Sequence, residues 1–208
     1  MTPQIDNQKQ KLLDQVIAVL KGSMSARQAS LAAKYVKYYF RRVPMEDLAL
    51  EAPATLATIV SNQLEFIRGR LPGQTLIRIF NPTIAKDGWE SQHTIIEMVN
   101  EDMPFLVDTA TLTLSEMKIG VHLIIHPVIL VTRDKKGKLT AVYQKNSKKK
   151  KGQAESIMQF QVDRRTQPEE LAEIQRRLTA ALYDAHMAVA DWRLIEKQAR
   201  DEIGRAHV

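Results

Sequence analysis

The chain is 208 residues long, contains no cysteine, is 44% hydrophobic and carries a formal net charge of +6. That length allows one large domain or two small ones with a real core, and the missing thiols exclude disulfides and thiolate metal sites and point to a reducing compartment. No apolar run approaches the roughly 20 residues a membrane helix needs, and the polar N-terminus lacks a signal-peptide core, so a soluble, cytoplasmic protein with no membrane partner is expected.

Residues 1–72 read as a helical segment. Leu12, Leu13, Val16 and Leu20 form one apolar stripe that stops at Gly22, and Ser25 can cap a second helix carrying Ala29, Ala32, Ala33, Val36 and Phe40. Val43-Pro44 ends that helix, and Pro53 opens a third with Leu56, Ile59, Val60, Gln63, Leu64 and Ile67. Tyr35, Tyr38, Tyr39 and Phe40 lie beside Arg41 and Arg42. An aromatic stripe at helical spacing buries area before it stacks on anything else, so it reads as core with a polar edge.

Leu76 to Phe80 predicts a strand, followed by a loop from Asn81 to Trp89. Thr94 to Val99 is β-branched and apolar except at Glu97, which fits a strand buried on both faces. Asn100-Glu101-Asp102 breaks the run, with Asp102 as the expected N-cap and Pro104 in the first turn of the next helix. Leu106, Val107, Ala110, Leu114 and Met117 share one face of that helix, which Gly120 ends.

Val121 to Arg133 reads as a long strand in which Pro127 implies an edge, a bulge or a break. Asp134 to Gly137 turns the chain back into Leu139 to Tyr143. Lys145 and Lys148 to Lys151 then form a basic loop that supplies much of the positive charge, read first as a solvated hairpin tip and second as an anion or nucleic-acid patch. Ile157 to Val162 is a further strand. Thr166 with Glu169 predicts a capping box for a helix buried through Leu171, Ile174, Leu178, Ala181, Leu182 and Ala185, with a break or a new helix at Met187 to Trp192.

From Thr94 onward the elements run strand, helix, strand, hairpin strand or strands, helix. That order predicts an α+β fold: an N-terminal helical segment, then a ferredoxin-like antiparallel sheet with helices on one face. The strand that should follow the last helix is missing, and Leu76 to Phe80 is the candidate for its edge position. The expected division is 1–72, 73–188 and 189–208.

Several runs carry a resemblance: Tyr38 to Pro44, Glu46-Asp47-Leu48, Gly88-Trp89, His93-Thr94, Asp102 to Asp108, His122 to Pro127 and Asp191-Trp192. On these the chain resembles the N-terminal regulatory region of the very large bacterial NAD-specific glutamate dehydrogenases, which begin with helices followed by ACT-type domains. The resemblance implies an ACT-like fold and places the NAD-binding dehydrogenase domain of the parent downstream of this chain. It implies a homo-oligomeric parent, whose other domains are this chain's main partners.

In ACT domains an amino acid commonly binds at the strand-helix turn, which here is Asn100, Glu101, Asp102 and Met103. Helix N–H groups there suit a carboxylate, and acids suit an ammonium. Many ligand-binding members have Gly after the Pro, where this chain has Phe105. The domain is therefore read as either an effector site or a structural relay.

Catalytic signatures are missing: there is no G-x-G-x-x-G, P-loop, G-x-S-x-G or H-E-x-x-H, so the isolated chain is expected to turn over no substrate and to hold no cofactor or metal. His122 and His126, four apart on a strand, would sit about 13 Å apart, too far to share one metal, and His93 could approach one of them across the sheet. The alternative function is a ferredoxin-like nucleic-acid or anion-binding module using Lys145 to Lys151. Ile157 to Val162 offers only Phe160 as a stacking residue, which makes nucleic acid the weaker partner.

Overall fold

The computed structural model describes residues 3–144 and 152–205. The basic loop from Lys145 to Lys151 lies outside the described residues.

The N-terminal helices are α1 (Pro3–Ser23), α2 (Ala26–Tyr39), the single turn α3 (Met45–Leu48) and α4 (Pro53–Phe66). Ser25 caps α2 through a full capping box with Gln28, and Pro53 sits in the first turn of α4, where its missing N–H costs nothing. Lys9 of α1 donates its ammonium to the carbonyls of Arg41 and Val43 at 2.9 and 2.6 Å, tying α1 to the end of α2. Tyr35, Tyr39 and Phe40 are buried, with Tyr35 and Tyr39 stacked at 5.3 Å, so the aromatic stripe is core.

The remaining elements are β1 (Leu76–Phe80), α5 (Ile84–Asp87), β2 (Thr94–Glu101), α6 (Leu106–Glu116), β3 (Val121–Ile125), β4 (Val128–Arg133), β5 (Leu139–Gln144), β6 (Gln153–Val162) and α7 (Pro168–Arg205). The strands form one antiparallel sheet in the order β1-β2-β6-β4-β5, and β3 pairs with β6. Strands β3 and β4 run along the same edge of β6, interrupted at Pro127, whose carbonyl still accepts from the Ile157 N–H at 3.1 Å. The predicted long strand is therefore broken at its proline, which cannot donate to a ladder. β2 and β3 flank β6 as a β-α-β unit joined by α6, and β1 holds the edge beside β2. That is the position of the strand missing after the last helix.

Two-residue periodicity sorts β2 and β6 between two cores. Ile96, Met98, Met158, Phe160 and Val162 pack with Leu106, Ala110 and Leu114 of α6 and Ile174, Leu178 and Leu182 of α7. Val99 and Ile157 point the other way, into a core shared with α1, α2 and α4. Helices α6 and α7 thus cover one face as expected, while the N-terminal helices cover the opposite face and share its core.

Five local expectations need correction. The N-cap position of α6 belongs to Phe105, not Asp102, because the Asp102 N–H is still bonded to the Ala154 carbonyl at 2.9 Å, so the β-ladder runs on past the predicted start and leaves Pro104 ahead of the helix. The same helix ends at Glu116, with Lys118 in the left-handed region (φ 54°), before Gly120 is reached. Helix α7 opens at Pro168, and the Leu171 N–H reaches the Gln167 carbonyl, so Gln167 holds the cap position predicted for Thr166. The break expected at Met187 to Trp192 is missing, since α7 is continuous over 38 residues. The loop from Asn81 to Trp89 also contains one helical turn, α5.

Candidate functional site

The β2-α6 turn brings the four predicted residues together at one end of the sheet and gives each a different environment. Asn100 is buried; its amide donates to Thr75 Oγ1 at 2.8 Å, and its Oδ1 is buried without a hydrogen-bond partner. The Glu101 carboxylate accepts the Gly73 N–H at 3.0 Å, and that bond is the main reason its pKa lies below the ordinary carboxylate value. Asp102 is fixed through its backbone to Ala154. Met103 packs against the α6-α7 core.

Phe105 closes the turn at φ 71°, in the left-handed region that glycine occupies without penalty. Its side chain is 64% exposed, so burial does little to compensate the backbone strain. The position thus keeps a glycine conformation with a phenylalanine in it.

Beneath this turn, on the face covered by the N-terminal helices, lies a buried polar row that sequence reading passed over. Arg78, Glu97 and Gln159 are register partners across β1, β2 and β6. Arg78 donates to Glu97 at 2.5 Å and lies over the rings of Phe66 and Phe80 at 4.7 and 4.6 Å. Above the row, Tyr35 donates to Gln63, Gln63 to the Tyr39 hydroxyl, and Tyr39 to Gln159. Burial raises the Glu97 carboxyl pKa, with Arg78 pulling against it, and burial raises both tyrosines well above their ordinary range. The signal for this row was Glu97 itself, the one charge between Thr94 and Val99.

A second buried charge lies on the same face of the sheet, near the start of β6. Glu155 takes Nε and Nη2 of Arg70 at 3.0 and 2.9 Å, and Nε and Nη2 of Arg133 at 2.7 and 2.8 Å. Arg133 also donates to the carbonyls of Ile67 and Gly137. The cluster rivets the end of the helical segment to β4 and β6.

Of the histidines, His93 stacks on His122 at 4.4 Å across the sheet, and His122 Nε2 meets Asp163 Oδ1 at 2.8 Å. His126 pairs with Ser156. Among the described residues no group of three or more histidine, aspartate or glutamate side chains is placed to hold a metal ion. Both faces of the sheet are covered by helices, which removes the open platform an RNA-binding sheet of this topology uses.

The family model that matches is the glutamate dehydrogenase ACT1 domain, over residues 35–178. The chain belongs to this family. The ACT1 match takes in the buried row, the β2-α6 turn and every strand of the sheet. Similar curated proteins are the NAD-specific glutamate dehydrogenases of Halomonas elongata, 32% identical over 192 residues, and of Pseudomonas aeruginosa, 26% identical over 192 residues. Each alignment takes in 92% of this chain and 12% of the relative, so the chain spans about one-eighth of the length of the proteins it matches. No solved structure matches.

The relatives' name implies NAD, and the strand-helix turn of this ACT1 domain does not fit a dinucleotide. It has no glycine through which a pyrophosphate could approach the backbone, and it presents Glu101, Asp102 and Asp108 around the helix start. Among the described residues no helix is long and apolar enough to cross a membrane.

Proposed function

We propose that this chain is a regulatory and assembly domain of a large, cytoplasmic, homo-oligomeric NAD-dependent glutamate dehydrogenase, acting through contacts with the other domains of its own chain and taking an amino acid as its input. The observation that carries the proposal is the coverage. Nearly the whole chain aligns with a small fraction of proteins named NAD-specific glutamate dehydrogenase, and that fraction is an ACT1 domain. Oxidative deamination of glutamate belongs, in this reading, to a domain elsewhere in the parent.

Two features support the reading. Tyr183, Met187, Trp192 and Ile195 lie exposed on α7 from near its middle onward, an apolar surface suited to contact with further domains. At the β2-α6 turn, the buried and unpartnered Asn100 Oδ1 is an acceptor for an amino-acid ammonium, with Glu101, Asp102 and Met103 beside it.

The test is the purified chain mixed with glutamate and NAD, with absorbance followed for NADH, alongside calorimetric titration with amino acids. The proposal predicts no turnover. Steady NADH formation by the pure chain would end it.

A further inference from the structure

Positive charge is concentrated in one stretch of the chain. Between Gln15 and Met45 lie six cations, Lys21, Arg27, Lys34, Lys37, Arg41 and Arg42, and no Asp or Glu. The remainder holds 24 Lys and Arg against 24 Asp and Glu, so this stretch alone equals the net charge of +6. All six are exposed, and among the described residues none of their side chains takes part in a hydrogen bond or an ion pair.

Arg27, Ser30, Lys34 and Lys37 recur at alternating spacings of three and four, which puts them on one face of α2. The helix itself gains nothing from this arrangement. Like charges at such spacings repel, and the first turn of α2, where the backbone dipole favours an acid, has none and carries Arg27. Beside the stripe, between the end of α1 and α2, runs a trough of about 580 Å³ lined by Met24, Ala29 and Ala33 and by Lys21, Lys34 and Lys37, with no carboxylate in its lining. Small side chains at such a place let a second helix come close.

We propose that the outer face of α2 and the trough beside it dock an acidic helix from a further domain of the parent chain, with the small-residue side of that helix over Ala29 and Ala33 and its carboxylates on Lys21, Lys34 and Lys37. Charge complementarity selects the acidic partner. A bilayer or a nucleic acid fits the face less well, because the large apolar residues of α2 point away from it: Tyr35, Val36 and Tyr39 are buried, leaving nothing to insert among lipids or stack on bases. A second copy of this chain brings the same positive stretch and an otherwise balanced sequence. The relatives, of which the aligned region is 12%, have ample further chain to supply the helix. The proposal rests on the domain-contact reading and names the surface and the chemistry of one such contact, away from the apolar residues of α7.

The experiment is amine labelling, read by peptide mass analysis, of the 208-residue chain alone and of the full-length parent, with carbodiimide cross-linking of the parent beside it. Lys21, Lys34 and Lys37 should label roughly fivefold or more slowly in the parent, and Lys34 or Lys37 should cross-link to carboxylates of one segment outside these 208 residues. Lys34→Glu with Lys37→Glu should restore fast labelling of Lys21 in the parent, while Lys34→Arg with Lys37→Arg should keep it slow. Both pairs of changes lie on an exposed face, and the charge-reversed chain by itself should melt no lower than wild type, since it removes like-charge repulsion.

Equal labelling of these lysines in the two settings overturns the α2 surface; if α7 still gains protection in the parent, the domain-contact reading survives, and if it does not, both fall. Cross-links that run only to carboxylates within residues 1–208 overturn the choice of partner. So does binding of the chain to single-stranded DNA or to phosphatidylserine vesicles that Lys34→Glu with Lys37→Glu abolishes.

Discussion

Arg70 and Glu155 meet at 2.9 Å with both side chains out of water, 1% and 0% exposed. Arg70 lies at the end of the helical segment and Glu155 near the start of β6, so the pair, with Arg133, joins the two parts of the chain through their shared core. Removing one member of a buried ion pair leaves its partner charged and desolvated, at a cost of about 3–5 kcal/mol. Glu155→Gln should therefore lower the urea midpoint strongly with an unchanged m-value. The triple change Arg70→Met, Arg133→Met and Glu155→Leu, which leaves no buried charge unpaired, should be less damaging than Glu155→Gln alone, and equal or greater loss would show that the cluster acts through something other than its charges.

Gly137 stands against the same cluster. It has φ 79°, and a Cβ placed on it would come within 2.6 Å of the Arg70 carbonyl oxygen. Gly137→Ala should cost about 2 kcal/mol or more, the left-handed strain of about 1–2 kcal/mol adding to the steric displacement. Thermal unfolding of this variant beside Gly73→Ala, which has the same sign of φ and open space around it, separates the two contributions.

Glu97 sets a pH dependence of defined sign. Burial raises its folded pKa above the ordinary value of 4.5. The folded state therefore holds this proton more tightly than the unfolded chain, so its contribution to stability is complete below pH 4.5 and is lost as pH rises through the folded pKa. Glu97→Gln removes that loss. The stability of the variant relative to wild type should improve between pH 4.5 and pH 7, measured by denaturant titration at each pH. A difference that stays flat or worsens with rising pH contradicts the assignment. Glu101, whose pKa is lowered chiefly by the Gly73 N–H, should behave oppositely: the cost of Glu101→Gln, below about 1 kcal/mol after solvent screening, should vanish in acid.

Phe105 holds a left-handed backbone with an exposed side chain. Phe105→Gly should stabilise the chain by up to about 1 kcal/mol, the released strain exceeding glycine's extra unfolded-state entropy. Phe105→Ala keeps the strain and should be close to neutral. A destabilising glycine would mean that the ring contributes packing that its exposure conceals.

Much of the fold was legible because local chemistry and tertiary demand agree. Ser25, Pro53 and Pro127 each act in the structure as their chemistry dictates: a capping box, a helix start and a strand break. Leu76 to Phe80 takes the edge position reasoned for it from topology. The reading failed where tertiary hydrogen bonds override local signals. The ladder bond from Asp102 to Ala154 carries β2 past its acidic turn, and Phe105 then caps the helix in a conformation that its type disfavours.

At the candidate sites, the turn residues were readable because a motif marks them, and their contacts were not. The Thr75 and Gly73 partners come from a loop some 25 residues away in sequence. The buried ion cluster was invisible for a stronger reason. Arg70, Arg133 and Glu155 are brought together only when the helical segment docks on the sheet, and no spacing in the chain encodes that docking.

The central claim is that this domain works through contacts with the rest of a larger enzyme. The most direct test is amide hydrogen exchange of the 208-residue chain alone and within the full-length parent. Domain contact predicts that α7 from near its middle onward, around Tyr183, Met187 and Trp192, gains protection in the parent, while β2 and β6, already buried in the chain by itself, exchange at similar rates in both. Identical exchange along α7 in the two settings would contradict it.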